Sequence, residues 1–204
     1  MGERVERVRA LARTIGERLG GGALAQQADR AAQLAKADLL TDMVGEFPEL
    51  QGVMGGYYAR HEGLRDGVAI AIEDHYKPRF AGDALPRNHT GTVLALADKL
   101  ETLVGLFGIG QLPTGDKDPF ALRRHALGVI RILIEKNLPL ALGELIAAAE
   151  AAFAPEHRSV PAAGPLGAFF GDRLAVALRD QGYSAQEVEA VLALAPQRLG
   201  DVPK

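Results

Sequence analysis

Apolar residues recur at helical spacing along nearly the whole chain. Over Glu3–Leu19, Val5, Val8, Leu11, Ala12, Ile15 and Leu19 fall three or four apart, so one stripe is apolar and the Arg and Glu residues face water. Gly20, Gly21 and Gly22 end that helix, because glycine enters left-handed conformations without steric cost. A second Ala/Leu-rich helix is expected from Ala23 to Val44, before a bend at Phe47–Pro48 that proline imposes on its predecessor. Short helices follow over Leu50–Arg60 and Leu64–Tyr76.

Lys77–Asn88, with two prolines, Gly82 and Asp83, reads as an ordered loop. Thr90–Phe107 is the clearest core helix, its apolar face made by Val93, Leu94, Ala97, Leu100, Val104 and Phe107. After the loop Gly108–Lys117, Asp118–Pro119 reads as an N-cap followed by proline at the first helical position, opening a helix that runs to Asn137–Pro139. A further helix is expected over Leu140–Phe153. The Pro-rich stretch Ala154–Pro165 then marks the one boundary between a domain of residues 1–153 and an αα-hairpin within 154–204. That hairpin comprises Leu166–Gln181 and Ala185–Leu194, and Ser184 with Glu187 forms a capping box for its second helix. No alternating strand of useful length occurs. The fold class is all-α.

Composition narrows the function more than the fold. The 204 residues carry 23 Lys and Arg against 26 Asp and Glu, a net charge of −3, which excludes a polybasic binder but not a local basic face. Absence of Cys excludes a disulfide scaffold and a thiolate zinc site, and fits a reducing cytosol. No apolar run approaches the ~18 residues of a membrane span, and the charged start MGERVERVRA is unlike a signal peptide. The expected setting is cytoplasmic, with no membrane partner.

The five histidines (His61, His75, His89, His125 and His157) show no H-x-x-x-H or H-E-x-x-H spacing, so no helix turn supplies a local metal site. Asp98 lies beside the apolar stripe of a buried helix, where a carboxylate requires a partner; Arg60 and Arg79 are candidates, a remnant metal site the alternative. The Gly-rich stretch 108–124 lacks the Gly-Lys-Ser/Thr of a phosphate-binding Walker loop, and Asp116 and Asp118 oppose a nucleotide. As a rigid elbow it presents Lys117, Arg123 and Arg124, with Arg131 farther along the helix and Arg79 in its own proline-fixed loop. Guanidinium groups so placed suit phosphates or an acidic partner. A solvated helix face is the plainer alternative.

Several uninterrupted blocks resemble a known family. Lys36–Gly55 (KADLLTDMVGEFPELQGVMG), His75–Asp83 (HYKPRFAGD), Ala95–Leu100 (ALADKL), Gly115–Arg124 (GDKDPFALRR), Leu133–Asn137 (LIEKN) and Leu178–Tyr183 (LRDQGY) are similar to the bacterial glycyl-tRNA synthetase beta subunit. Family members are several times longer, so the chain resembles an excised internal fragment. The resemblance implies glycine activation with ATP and Mg on a separate alpha subunit, and a tRNA-Gly-binding beta subunit required for aminoacylation. It implies no cofactor in this region, no DNA partner, and no charging of tRNA by the fragment alone.

The resemblance also implies an HD-domain-like helical bundle followed by the start of a linker towards the anticodon-binding region. Active HD phosphohydrolases hold one or two metals with several histidines, an adjoining His-Asp pair and a late Asp. Here Arg30–Leu39 resembles the helix bearing that pair, yet Ala35 and Lys36 stand in its place. His61–Glu62 resembles a later ligand segment and Asp98 the final Asp, so His61, Glu62 and Asp98 are vestigial candidates with no metal expected. The implied role is positional, with Arg79, Lys117, Arg123, Arg124 and Arg131 in contact with tRNA or the partner subunit. The rivals are a metal-dependent nucleotide phosphohydrolase using His61, Glu62 and Asp98, and a docking module for the alpha subunit.

Overall fold

The computed structural model describes residues 2–154 and 160–202; His157 lies outside the described residues. The described residues form helices α1 (Gly2–Leu34), α2 (Asp42–Glu46), α3 (Val53–His61), α4 (Asp66–Asp74), α5 (His89–Gly108), α6 (Leu122–Glu135), α7 (Leu142–Ala151), α8 (Ala163–Asp180) and α9 (Ala185–Ala193). Among them only two isolated bridges, Thr114 with Lys117 and Ala141 with Arg198, have β pairing. The fold is all-α. The chain packs as two compact units, residues 1–98 and 99–204, dividing within α5 rather than at the Pro-rich stretch.

In the first unit α1 is a hairpin of two arms. Gly20 leaves helical geometry and Gly21 takes φ +70°, so the glycine run breaks the helix as its composition requires. The arms touch closely: a Cβ on Gly16 would sit 2.7 Å from the Ala25 Cα. Arg9 forks across the turn onto both carboxylate oxygens of Asp29 (2.9 and 3.1 Å), and Arg13 joins it at 2.7 Å. Ala25, Ala28, Ala31 and Ala32 line the buried side of the second arm, where small residues permit close packing.

The second arm stops at Leu34, ten residues before the expected Val44. Residues 37–40 form a 3₁₀ turn that turns the Asp38 side chain inward, where Oδ2 accepts hydrogen bonds from the N–H groups of Gly52 (2.6 Å) and Gly55 (3.1 Å). These are N-terminal N–H groups of α3 that lack intrahelical acceptors, so Asp38 caps α3 from a distant segment. Asn88 caps α5 more locally, accepting from Gly91 N–H at 2.7 Å.

In the second unit Leu166, Phe170, Leu174 and Leu178 give α8 one buried stripe, and α8 lies against α6 and α7. The expected hairpin forms, with its capping box at Ser184 and Glu187, but its first helix belongs to the packed unit. Glu150 reinforces this by accepting from the N–H groups of Ala162 and Ala163 (2.8 and 2.9 Å) at the start of α8. Helix α6 begins at Leu122, three residues later than expected. Residues 118–121 close a turn, Ala121 adopts φ +55°, and the Asp118 carboxylate reaches forward to Leu122 N–H (2.8 Å) and Arg123 N–H (3.0 Å).

Gly16→Ala places a methyl against backbone that has no flexible end to yield. The expected loss is about 1–3 kcal/mol in urea denaturation. An unchanged midpoint would contradict the close approach of the two arms.

Candidate functional site: a buried ion cluster and a basic elbow

Helix α5 brings Asp98 into the first unit with its side chain 6% exposed. Its partners are not the expected Arg60 and Arg79. Arg4, from the first arm of α1, donates to Oδ1 at 3.1 Å, and Lys36, from the break after the second arm, reaches Oδ2 at 3.3 Å. Arg60 pairs instead with Asp66 at 2.8 Å, and Arg79 with Asp83 at 3.5 Å.

The Lys36 ammonium has two further neighbours. It lies 2.7 Å from Nε2 of the buried His75 and 4.0 Å from the centre of the Tyr76 ring. His75 Nδ1 is 2.6 Å from the Ile72 carbonyl, which can only accept, so Nδ1 carries the ring proton and Nε2 accepts from Lys36. A carboxylate, an imidazole lone pair and an aromatic face thus surround one ammonium. Burial pushes the Lys36 ammonium below the usual lysine range, with Asp98 pulling the other way. Burial, then the nearby Asp98 and Asp38 carboxylates, pushes the Tyr76 phenol up.

A cavity of about 220 Å³ opens beside this cluster, lined by Arg4, Gln51, Tyr76, Lys36 and Asp98 over apolar walls. Glycines make room for the cluster. A Cβ on Gly52, already at φ +80°, would lie 2.8 Å from the Tyr76 ring, and one on Gly55 would lie 2.7 Å from Ile72 and 3.2 Å from Asp38. Chemically the cluster holds one buried ammonium between a carboxylate, an imidazole and a phenol ring.

His61 and Glu62, expected to accompany Asp98, are exposed at the C-terminal end of α3. The histidine that shares the cluster is His75, which spacing had not singled out. Among the described residues no three His, Asp or Glu side chains converge as ligands.

A second ion cluster fixes the loop that carries Arg79. Asp74, fully buried, accepts a forked pair from Arg87 (2.9 and 3.0 Å), the Arg87 N–H (2.7 Å) and the Lys77 ammonium (2.8 Å). Burial works to raise this carboxyl, but the Arg87 and Lys77 bonds outweigh it and hold it below the usual range. Both ends of the loop are therefore pinned to one residue. Within it, Arg79 N–H donates to Asp83 at 2.7 Å while the guanidinium stays 57% exposed.

The basic elbow lies in the second unit. Thr114 and Lys117 exchange backbone hydrogen bonds (3.1 and 2.9 Å) around Gly115, whose φ is +51°. Arg123 donates to the Gly115 carbonyl and clamps that turn to α6. Arg131 is forked onto Glu135 at 2.6 and 3.2 Å. Lys117 and Arg124 are exposed and have no ion-pair partner among the described residues.

The model of a family described as glycyl-tRNA synthetase beta subunit matches residues 1–193. The chain belongs to that family. A curated glycine–tRNA ligase beta subunit from Leptothrix cholodnii is 71% identical over 216 aligned residues, covering 100% of this chain and 30% of the relative. Those from Dechloromonas aromatica and Janthinobacterium sp. are 68% and 70% identical, covering 100% and 98% of this chain and 28% of each relative. The chain therefore spans less than a third of the glycyl-tRNA synthetase beta subunits it matches.

Asp98→Asn leaves the Lys36 ammonium buried without its counter-charge, and is expected to cost about 3–5 kcal/mol in urea denaturation. Adding Lys36→Met should recover part of that loss; no recovery would mean that the two side chains do not interact. The pH dependence has a definite sign. Because the folded state holds the Lys36 proton less tightly than the ordinary lysine value of 10.5, the unfolded chain binds more protons between the two pKa values. Stability therefore rises with pH through that window. Subtracting the Lys36→Met profile from wild type should isolate the rise, and a flat difference would refute the depressed ammonium.

Proposed function

We propose that this region is part of a cytoplasmic two-subunit glycine–tRNA ligase. In this reading its beta subunit holds tRNA-Gly while a separate alpha subunit activates glycine with ATP and Mg. The family match supports the ligase assignment. The observation that carries the RNA-facing role is the elbow, where a turn clamped by Arg123 and a helix capped by Asp118 hold two exposed cations, Lys117 and Arg124. Arg79, on its pinned loop, is a third outward guanidinium, whereas Arg123 and Arg131 have internal partners and act as struts.

The contribution of such a surface is positional. A phosphate backbone gripped by cations on a rigid support arrives at the partner's active site already oriented, which lowers the barrier without a reacting group from this region. With a net charge of −3, the region by itself grips RNA weakly.

The HD-like reading explains the buried cluster. At the break where an active HD protein has its His-Asp pair, Ala35 is apolar and the Lys36 ammonium projects between His75 and Asp98. Divalent metals do not fit this donor set, because an ammonium and a guanidinium already outweigh the one carboxylate and repel a third cation. The phosphohydrolase alternative therefore lacks its metal centre. Docking of Lys117 and Arg124 onto an acidic alpha-subunit surface is the remaining alternative.

The test is Lys117→Glu/Arg124→Glu in the full beta subunit assembled with its alpha subunit. The expected result is a KM for tRNA-Gly raised about tenfold or more, a shallower salt dependence, and unchanged glycine-dependent ATP–pyrophosphate exchange. Loss of alpha–beta assembly in sedimentation would overturn the RNA reading in favour of docking.

A further inference from the structure

The segment after the Lys36 break has a surface that the ligase reading does not use. Leu40, Met43 and Phe47 are 80%, 42% and 51% exposed within eight residues. They are not loose. Thr41 Oγ1 donates to the Asp38 carbonyl at 2.7 Å and accepts from Val44 N–H at 3.4 Å, Val44 is buried, and Asp38 is bonded to the start of α3. A rigid frame therefore holds three large apolar side chains in water, an arrangement that marks a contact surface.

Its charge is equally one-sided. Asp42, Glu46 and Glu49 are exposed between and beside the apolar residues and have no ion pairs among the described residues. No Lys, Arg or His occurs between Lys36 and Arg60. Such a face repels a phosphate backbone, so its partner is polypeptide with an apolar centre and Lys or Arg around it.

We propose that this surface docks a basic, apolar segment of the beta subunit itself, from outside these 204 residues. The length of the relatives favours that source, since more than two thirds of each lies beyond the matched region and is tethered at high effective concentration. The inference rests on family membership and on this surface, and is independent of the tRNA-contact reading.

The experiment places photoreactive p-benzoylphenylalanine at position 47 of the full-length beta subunit, without alpha subunit or RNA. Illumination is expected to give an intrasubunit adduct to a peptide outside this region that carries Lys or Arg beside apolar residues. Glu46→Lys/Glu49→Lys should lower its yield about tenfold, as reversal of two facing charge pairs implies. The probe at position 43 repeats the reading should the residue 47 variant fail to fold. Adducts only between two beta subunits, only after alpha subunit or RNA is added, or at neither position would overturn the proposal. So would a yield insensitive to the charge reversal.

Discussion

The first unit is built around the buried Asp98 carboxylate. Asp98 sits on a helix where Val93, Leu94, Ala95, Ala97 and Leu100 are fully buried and Lys99 and Glu101 are buried beside it. Removing such a group from water costs several kcal/mol, so the chain must deliver counter-charges from elsewhere. It does so from both ends of α1, Arg4 at the start and Lys36 just past the finish. Lys36 then needs support of its own, and His75 and Tyr76 at the end of α4 supply it. Directly after Lys36 the chain turns Asp38 inward onto the bare backbone at Gly52 and Gly55.

The basic residues fall into two populations. Arg9, Arg87, Arg123 and Arg131 spend their donors on Asp29, Asp74, the Gly115 carbonyl and Glu135. A guanidinium engaged in that way offers an external ligand less, because any new contact must replace an existing one. Lys117 and Arg124 have no such engagement among the described residues, so their charge faces solvent. Counting cations along a helix overstates a basic face when several of them brace the fold.

Long apolar periodicities made the sequence legible where they ran uninterrupted. Thr90–Phe107 as read differs from α5 by one residue at each end, and the Ser184–Glu187 box caps α9 as its spacing requires. The end of the second arm of α1 was illegible, because Ala and Leu favour helix past Leu34 and the competing force is a long-range bond from Asp38 to Gly52 and Gly55. Asp98 was legible as buried, since helical phase reports burial, but its partners are 62 and 94 residues away. His75 escaped for the same reason. Neither its neighbours nor its spacing records that Lys36 arrives opposite it, whereas the adjoining pair His61–Glu62 invited attention and lies in solvent. The HD comparison marked Ala35 and Lys36 as standing where an active HD protein has its His-Asp pair, but the periodicity placed them inside a continuous helix to Val44, so the break itself was not read.

Charge is segregated along this chain in a way that its near-neutral total conceals. Between Lys36 and Arg60 every ionisable side chain other than tyrosine is acidic, whereas from Lys117 to Arg131 four Lys and Arg residues accompany one Asp and one His. That Asp, Asp118, is turned inward to cap α6 and does little to offset the exposed cations of the elbow. Fields of opposite sign on rigid supports favour different partners, because at short range attraction and repulsion follow the local charge and not the sum. The buried salt bridges fix α1 and the pinned loop within the first unit, and within the second the Arg123 clamp and the Asp118 cap hold the elbow.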